Sequence, residues 1–150
     1  MYKGIPQTRF DTLFSKTAGP LYQEDSTNCF LIKHVSTGVK FDLMDEYGNA
    51  IAKSEVYISE SSCLKGIESV RKNSVLARFE DCTEEMNRSA PNPKFVLYTD
   101  KKGQFRFRLK ARNGEIIAVS DSYENKADCI SVIDRVRRIA PNAKLTYSNS

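Results

Sequence analysis

Phe105-Arg106-Phe107-Arg108-Leu109-Lys110-Ala111-Arg112-Asn113-Gly114-Glu115-Ile116-Ile117-Ala118 is the stretch on which the fold turns. Apolar and basic residues alternate from Phe105 to Lys110, the period of a strand with one buried and one solvated face. Asn113-Gly114 then predicts a tight hairpin, because a type I′ turn needs positive φ at both central residues. The returning strand is expected over residues 115–120.

A weaker copy stands 66 residues earlier. At that offset Phe41 meets Phe107, Leu43 meets Leu109, Gly48 meets Gly114, and Ile51-Ala52 meets Ile117-Ala118. Ser54 and Ser120, Tyr57 and Tyr123, Cys63 and Cys129, Ile67 and Ile133, and Val70-Arg71 and Val136-Arg137 follow. These eleven identities in 34 ungapped positions fall mainly on apolar and turn residues, the mark of an internal duplication.

Each copy predicts the same elements. A first strand over 29–33 or 95–99 ends in a polar turn, at 34–38 or 100–103. A second strand follows over 39–44 or 105–110, and a third over 50–54 or 115–120, giving a three-stranded antiparallel meander. A helix comes next, with Ser59 and Asn125 at aligned N-cap positions. Cys63, Ile67 and Val70 share one helical face, as do Cys129, Ile133 and Val136, with Leu64 and Ile130 widening the stripes. Arg71-Lys72 and Arg137-Arg138 are expected in the last turns, where cations suit the helix dipole. Short strands at 76–80 and 144–147 close the two units.

The flanks differ in kind. Residues 1–27 read as an N-terminal extension, with Phe10, Leu13 and Phe14 spaced for a short docking turn. Residues 83–93 are polar, carry Pro91-Asn92-Pro93, and read as a linker between a first repeat at 28–82 and a second at 94–150. With 40% hydrophobic and 28% charged residues, the 150-residue chain has the composition of an ordinary soluble protein. No apolar run approaches the roughly 18 residues of a membrane span. The N-terminus lacks the apolar centre of a secretory signal, so a cytoplasmic protein without membrane partners is expected. The net charge of +4 is uneven: residues 94–150 hold twelve Lys and Arg against six Asp and Glu, so the basic excess lies in the C-terminal third.

Gly66-Ile67-Glu68-Ser69-Val70-Arg71-Lys72-Asn73 in the first repeat resembles the helix signature of the YegP-like family. Lys102-Gly103-Gln104-Phe105-Arg106-Phe107-Arg108-Leu109-Lys110-Ala111 and Asn113-Gly114-Glu115-Ile116-Ile117 in the second are similar to the same family. The likeness covers about residues 28–82 and 94–147. It implies an α+β fold of two tandem β3-α-β repeats forming a single mostly antiparallel sheet, with helices packed on it and the C-terminal strands exchanged. On that basis residues 76–80 would pair within the second half and 144–147 within the first. A three-stranded meander with one helix buries little by itself, and sharing one sheet answers that deficit. The result is an intramolecular pseudo-dimer, compatible with a monomeric chain. The first repeat departs from the pattern at its first turn and at Tyr47-Gly48, which predicts a looser hairpin. Val132 stands where the first repeat has Gly66, which predicts helices at different distances from the sheet. The family has no established activity, so no functional residue is carried over.

Candidate sites follow from the residues themselves. If helices cover one face of the sheet, Tyr98, Arg106, Arg108 and Lys110 share the other. Basic groups beside an aromatic ring suit single-stranded nucleic acid, while the same alternation describes any strand with one solvated face. Lys40 and Asp42 replace Arg106 and Arg108 in the first repeat, which weighs against a nucleic-acid site. Ser54, Ser120, Tyr57 and Tyr123 are expected to satisfy turn backbone and cover the core edge rather than line a ligand groove. The cysteines, Cys29, Cys63, Cys82 and Cys129, contain no Cys-x-x-Cys pair and read as mostly buried thiols. Nothing in the sequence brings His34, the one histidine, to Cys63 or Cys129 as a base. No phosphate loop or metal-ligand spacing is present, so no cofactor and no catalytic residue is expected. The function read from the sequence is a non-catalytic binding or structural module, with nucleic-acid binding through the basic face of the second repeat as the alternative. Its partner is a protein or a nucleic acid.

Overall fold

The structure is a computed structural model that describes residues 28–148. The expected docking turn at Phe10, Leu13 and Phe14 lies outside the described residues. The elements run β1 (Cys29–Val35), β2 (Gly38–Met44), β3 (Ala50–Lys53), α1 (Glu60–Leu76), β4 (Arg78–Asp81), β5 (Lys94–Thr99), β6 (Phe105–Lys110), β7 (Ile116–Val119), α2 (Lys126–Ile139) and β8 (Lys144–Tyr147). A single turn of 3₁₀ helix, Ala140–Asn142, joins α2 to β8. The fold is α+β, with all eight strands in one mixed sheet of order β4-β5-β6-β7-β3-β2-β1-β8. The two meanders meet at the centre, where β3 and β7 run antiparallel with Lys53 opposite Val119. At the edges, β4 lies parallel to β5 and β8 parallel to β1.

The core sits on one face of this sheet. Phe30, Phe41, Phe95 and Phe107 are fully buried there, together with Ile32, Leu43, Leu97 and Leu109. Cys63, Ile67 and Val70 of α1 and Cys129, Ile133 and Val136 of α2 join the same cluster, so both helices cover that face. Burying each large side chain contributes about 1.5–3 kcal/mol. The two halves repeat their contacts. Phe30 meets Phe41 edge-on at 5.6 Å, with Arg71 over the Phe30 ring at 5.1 Å. Phe95 meets Phe107 at 5.7 Å, with Arg137 over Phe95 at 4.8 Å.

Several local expectations change. Ile32 pairs with Phe41 whereas Leu97 pairs with Phe107, so the first strands are offset by one residue fewer than the second strands. The second repeat places its extra residue in the turn before β6. Asn113-Gly114 does not form a two-residue turn. Gly114 N–H donates to Ala111 O and Ala111 N–H to Glu115 O, which makes a longer connection ending in a glycine at φ +88°. The first repeat's hairpin is not looser, since Gly48 N–H donates to Asp45 O and Asp45 N–H to Asn49 O in the same pattern. Asp45 Oδ1 also accepts from the backbone N–H of Tyr47 and Asn49, at 2.9 and 2.8 Å, which replaces what Asn-Gly would contribute.

At the helix ends, Ser59 Oγ accepts from Ser62 N–H as an N-cap should. Asn125 makes no such bond, because its amide turns to donate to the Asp128 carboxylate. Helix α1 runs on to Leu76, so Arg71 and Lys72 lie ahead of its last turn rather than in it, and Arg71 instead donates to Ala140 O and Pro141 O. Between α1 and the sheet, the Tyr57 hydroxyl lies 2.3 Å from where a Cβ at Gly66 would stand, so the missing side chain makes room for a phenol.

Candidate functional site

Strand alternation leaves the second face of the sheet to the residues between the buried ones. Neither helix covers it among the described residues. In the second repeat, Tyr98 is opposite Arg106, Val96 opposite Arg108 and Lys94 opposite Lys110. All four residues picked from the sequence therefore stand on one face of two neighbouring strands.

Their surroundings show what each is free to do. Arg106 Nε donates to Asp100 Oδ2 at 3.0 Å. Asp100 is itself the turn cap, accepting from the N–H groups of Lys102 and Gln104. The Gln104 N–H first, and then the Arg106 guanidinium, hold its carboxyl below the usual carboxylate range. The Arg108 guanidinium lies 4.2 Å from the centre of the Tyr98 ring, a cation–π contact that occupies one side of that ring. Lys110 makes no ion pair among the described residues.

In the first repeat's half of this face, Lys40 and Asp42 do more than lower the charge. Asp42 is 3% exposed although it points away from the helices. Its two oxygens are held by Lys33 Nζ at 2.7 Å and by Lys40 Nζ at 2.5 Å. Burial pushes the Asp42 carboxyl up, but hydrogen bonds from the two ammonium groups outweigh it and leave the carboxyl below its ordinary value. Lys53 reaches Asp121 at 3.1 Å. The period-two spacing of Lys40 and Asp42 is the signal that could have placed them together; Lys33 joins them only through strand pairing.

At the β4 edge, Glu80 and Lys94 form a nearly buried pair at 2.7 Å, their side chains 8% and 10% exposed. Glu80 Oε1 also accepts from Ala90 N–H, and Lys94 Nζ donates to Ala90 O. The Lys94 ammonium, followed by the Ala90 N–H, holds the Glu80 carboxyl at about 2. No sequence spacing announces this pair.

The other candidates are satisfied internally. Ser54 Oγ accepts from Phe41 N–H and donates to Glu55 O, and Ser120 does the same with Phe107 and Asp121. Cys63 and Cys129 are fully buried, and burial pushes the Cys129 thiol up to about 11. His34 stands 3.6 Å from Glu60 at the surface. Among the described residues, no helix is long and apolar enough to cross a membrane.

The domain of unknown function DUF1508 matches the chain twice, over residues 36–81 and 100–146. A UPF0339 protein of Treponema denticola is 60% identical over 50 residues, spanning 33% of this chain and 86% of its own length. The UPF0339 protein PA0329 of Pseudomonas aeruginosa is 33% identical over 106 residues, 71% of this chain and 83% of its own. The solution NMR structure of yegP from E. coli, described as a protein of unknown function, superposes with a TM-score of 0.65 at 28% identity. That superposition covers 83% of this chain and 96% of the other. UPF0339 protein SO3888 from Shewanella oneidensis shares the fold, with a TM-score of 0.66 at 24% identity over 81% of this chain and 91% of the other. Two consecutive matches to one domain, on two repeats of one architecture, show that the chain belongs to the YegP-like family of tandem DUF1508 proteins, a family of unknown function.

Proposed function

We propose that the protein is a non-catalytic binding module, built from repeats at 28–82 and 94–150 joined by 83–93, that receives an acidic protein segment on the helix-free face of its sheet. The observation that carries the reading is the run of cations on that face, from Lys33 and Lys40 in one half to Arg106, Arg108 and Lys110 in the other. An extended segment crossing adjacent strands would meet charges at the strand spacing, and electrostatic complementarity would set its orientation. Tyr98, Arg106, Arg108 and Lys110 form the proposed contact set, with Lys110 the cation least engaged within the chain.

A protein partner is favoured over single-stranded nucleic acid by the Tyr98 ring. Base stacking needs an open aromatic face, and Arg108 already lies over one side of it. A non-catalytic role is supported by the Cys63 and Cys129 thiols, buried and raised by that burial, and by the one histidine lying at the surface 3.6 Å from Glu60 rather than buried with either sulfur. Four free cysteines fit the reducing cytoplasm.

The test is fluorescence anisotropy with an acidic peptide and with a single-stranded oligonucleotide, at low and raised salt. Salt-sensitive peptide binding, lost in Arg106→Glu/Lys110→Glu, is expected. Preference for the oligonucleotide would replace this reading with the nucleic-acid one, and no binding of either at low salt would remove both.

A further inference from the structure

The duplication is broken at one pair of matching places. Helix α2 faces the β2–β3 hairpin, and there Arg135 pairs with Asp45 and reaches Glu46 at 3.8 Å. Helix α1 faces the β6–β7 hairpin in the same way, since Asn73 Oδ1 accepts from Arg112 N–H at 3.2 Å. At the 66-residue offset, however, Ser69 replaces Arg135 and Ala111 replaces Asp45, so both halves of the ion pair are gone. Arg112 stands where Glu46 does, which reverses the remaining charge. The second repeat's hairpin is thus left with an open groove of about 480 Å³ against α1, where the first repeat's is bridged by an arginine.

The lining of this groove is rich in donors. Lys65, Lys72 and Arg112 are exposed along it and have no ion pair among the described residues. Ser69 Oγ accepts from Asn73 Nδ2 at 3.0 Å, which leaves its O–H to donate. Asn113 Oδ1 accepts from Glu115 N–H, which leaves its amide nitrogen available as a donor. The one carboxylate at the rim, Glu68, is engaged by Arg71 at 3.0 Å. Asn73, 8% exposed and bonded through both ends of its amide, forms a fixed floor. Such a lining suits a ligand with acceptors and negative charge, held by charge-assisted hydrogen bonds.

The geometry points to a binding site for a small organic dianion, a phosphate monoester or a dicarboxylate, between α1 and the β6–β7 hairpin. The site lies on the helix side of the sheet and is independent of the proposed partner face. Nothing covalent is required, since the ligand only replaces the ion pair that closes the other repeat.

The test is titration of ¹⁵N-labelled full chain with inorganic phosphate, glycerol 3-phosphate and succinate, against sodium chloride at matched ionic strength. Saturable shifts at the amides of Ser69, Asn73, Arg112 and Asn113 are expected with at least one dianion and not with chloride. The ligand giving the tighter saturation assigns phosphate or dicarboxylate chemistry. Ser69→Arg/Ala111→Asp, which copies the closed repeat, should weaken binding about tenfold or more. Lys72→Ala, at an exposed position, should weaken it by a smaller factor with the fold intact. Shifts that chloride reproduces, that fail to saturate, or that survive unchanged in both variants would overturn the proposal.

Discussion

Replacing Glu80 by Gln removes a charge from a pair with little water around it. The carboxyl falls from 4.5 to about 2 in the folded protein, chiefly because the Lys94 ammonium sits 2.7 Å away. That fall, at about 1.36 kcal/mol for each tenfold change in proton affinity, amounts to about 3 kcal/mol of pH-linked stability. Because the folded value lies below the unfolded one, this contribution is complete above about 4.5 and is lost as the pH falls toward 2. Urea unfolding at neutral pH should show Glu80→Gln less stable by about 3 kcal/mol, with little change in m-value. The gap should narrow as both proteins are acidified. Part of the loss should return in Glu80→Gln/Lys94→Met, which no longer leaves an ammonium buried alone. A neutral-pH difference below about 1 kcal/mol, the range of exposed pairs, or one that ignores pH would refute the reasoning.

Four further outcomes are expected. A Cβ at Gly38 would meet the Tyr57 carbonyl oxygen at 2.0 Å, so Gly38→Ala should break the Val39–Tyr57 bridge and cost about 1–3 kcal/mol or more in thermal unfolding. Gly48→Ala meets nothing within 4 Å and should cost only the roughly 1–2 kcal/mol of a left-handed backbone at φ +82°. Thiol titration should label the exposed Cys82 in the native protein but reach Cys63 and Cys129 only on unfolding, as their burial and raised thiol values require. Arg135→Ala leaves the fully buried Asp45 side chain without its cation and should destabilise by about 1–3 kcal/mol, measured by urea unfolding, whereas Ser69→Ala in the other repeat should be nearly neutral.

The repeated pattern was readable because strand alternation and helical stripes are local properties. Phe41, Leu43, Phe107 and Leu109 reveal their buried face by spacing alone, as do Cys63, Ile67 and Val70. What escaped were choices among local alternatives of similar energy. Asn113-Gly114 fits a two-residue turn as a dipeptide, but the hairpin closes between Ala111 and Glu115. Asn125 has a capping side chain, yet the carboxylate of Asp128 captures it. No glycine or proline halts α1 after Arg71-Lys72, and the helix continues to Leu76. Contacts made only in three dimensions left no sequence trace. Asp45 and Arg135 are 90 positions apart, and Lys33 meets Asp42 across a turn. The four residues nominated for the partner face share that face because of period two alone; their engagement with Asp100 and with each other depends on the turn and the neighbouring strand.

The joint between the two meanders has a dynamic consequence. A single residue pair, Lys53 opposite Val119, carries the β3–β7 ladder, so backbone bonds alone would make this the place where the molecule parts. The helices act as rivets instead: α1 packs on β2 and also on β5, β6 and β7, while α2 packs on β3, β5 and β6. The sheet should therefore behave as one cooperative opening unit, with the seam amides exchanging with solvent only when the side-chain core on the helix face also gives way. Slow hydrogen exchange at Lys53 and Val119 would be the sign that side chains, not the ladder, make two repeats into one protein.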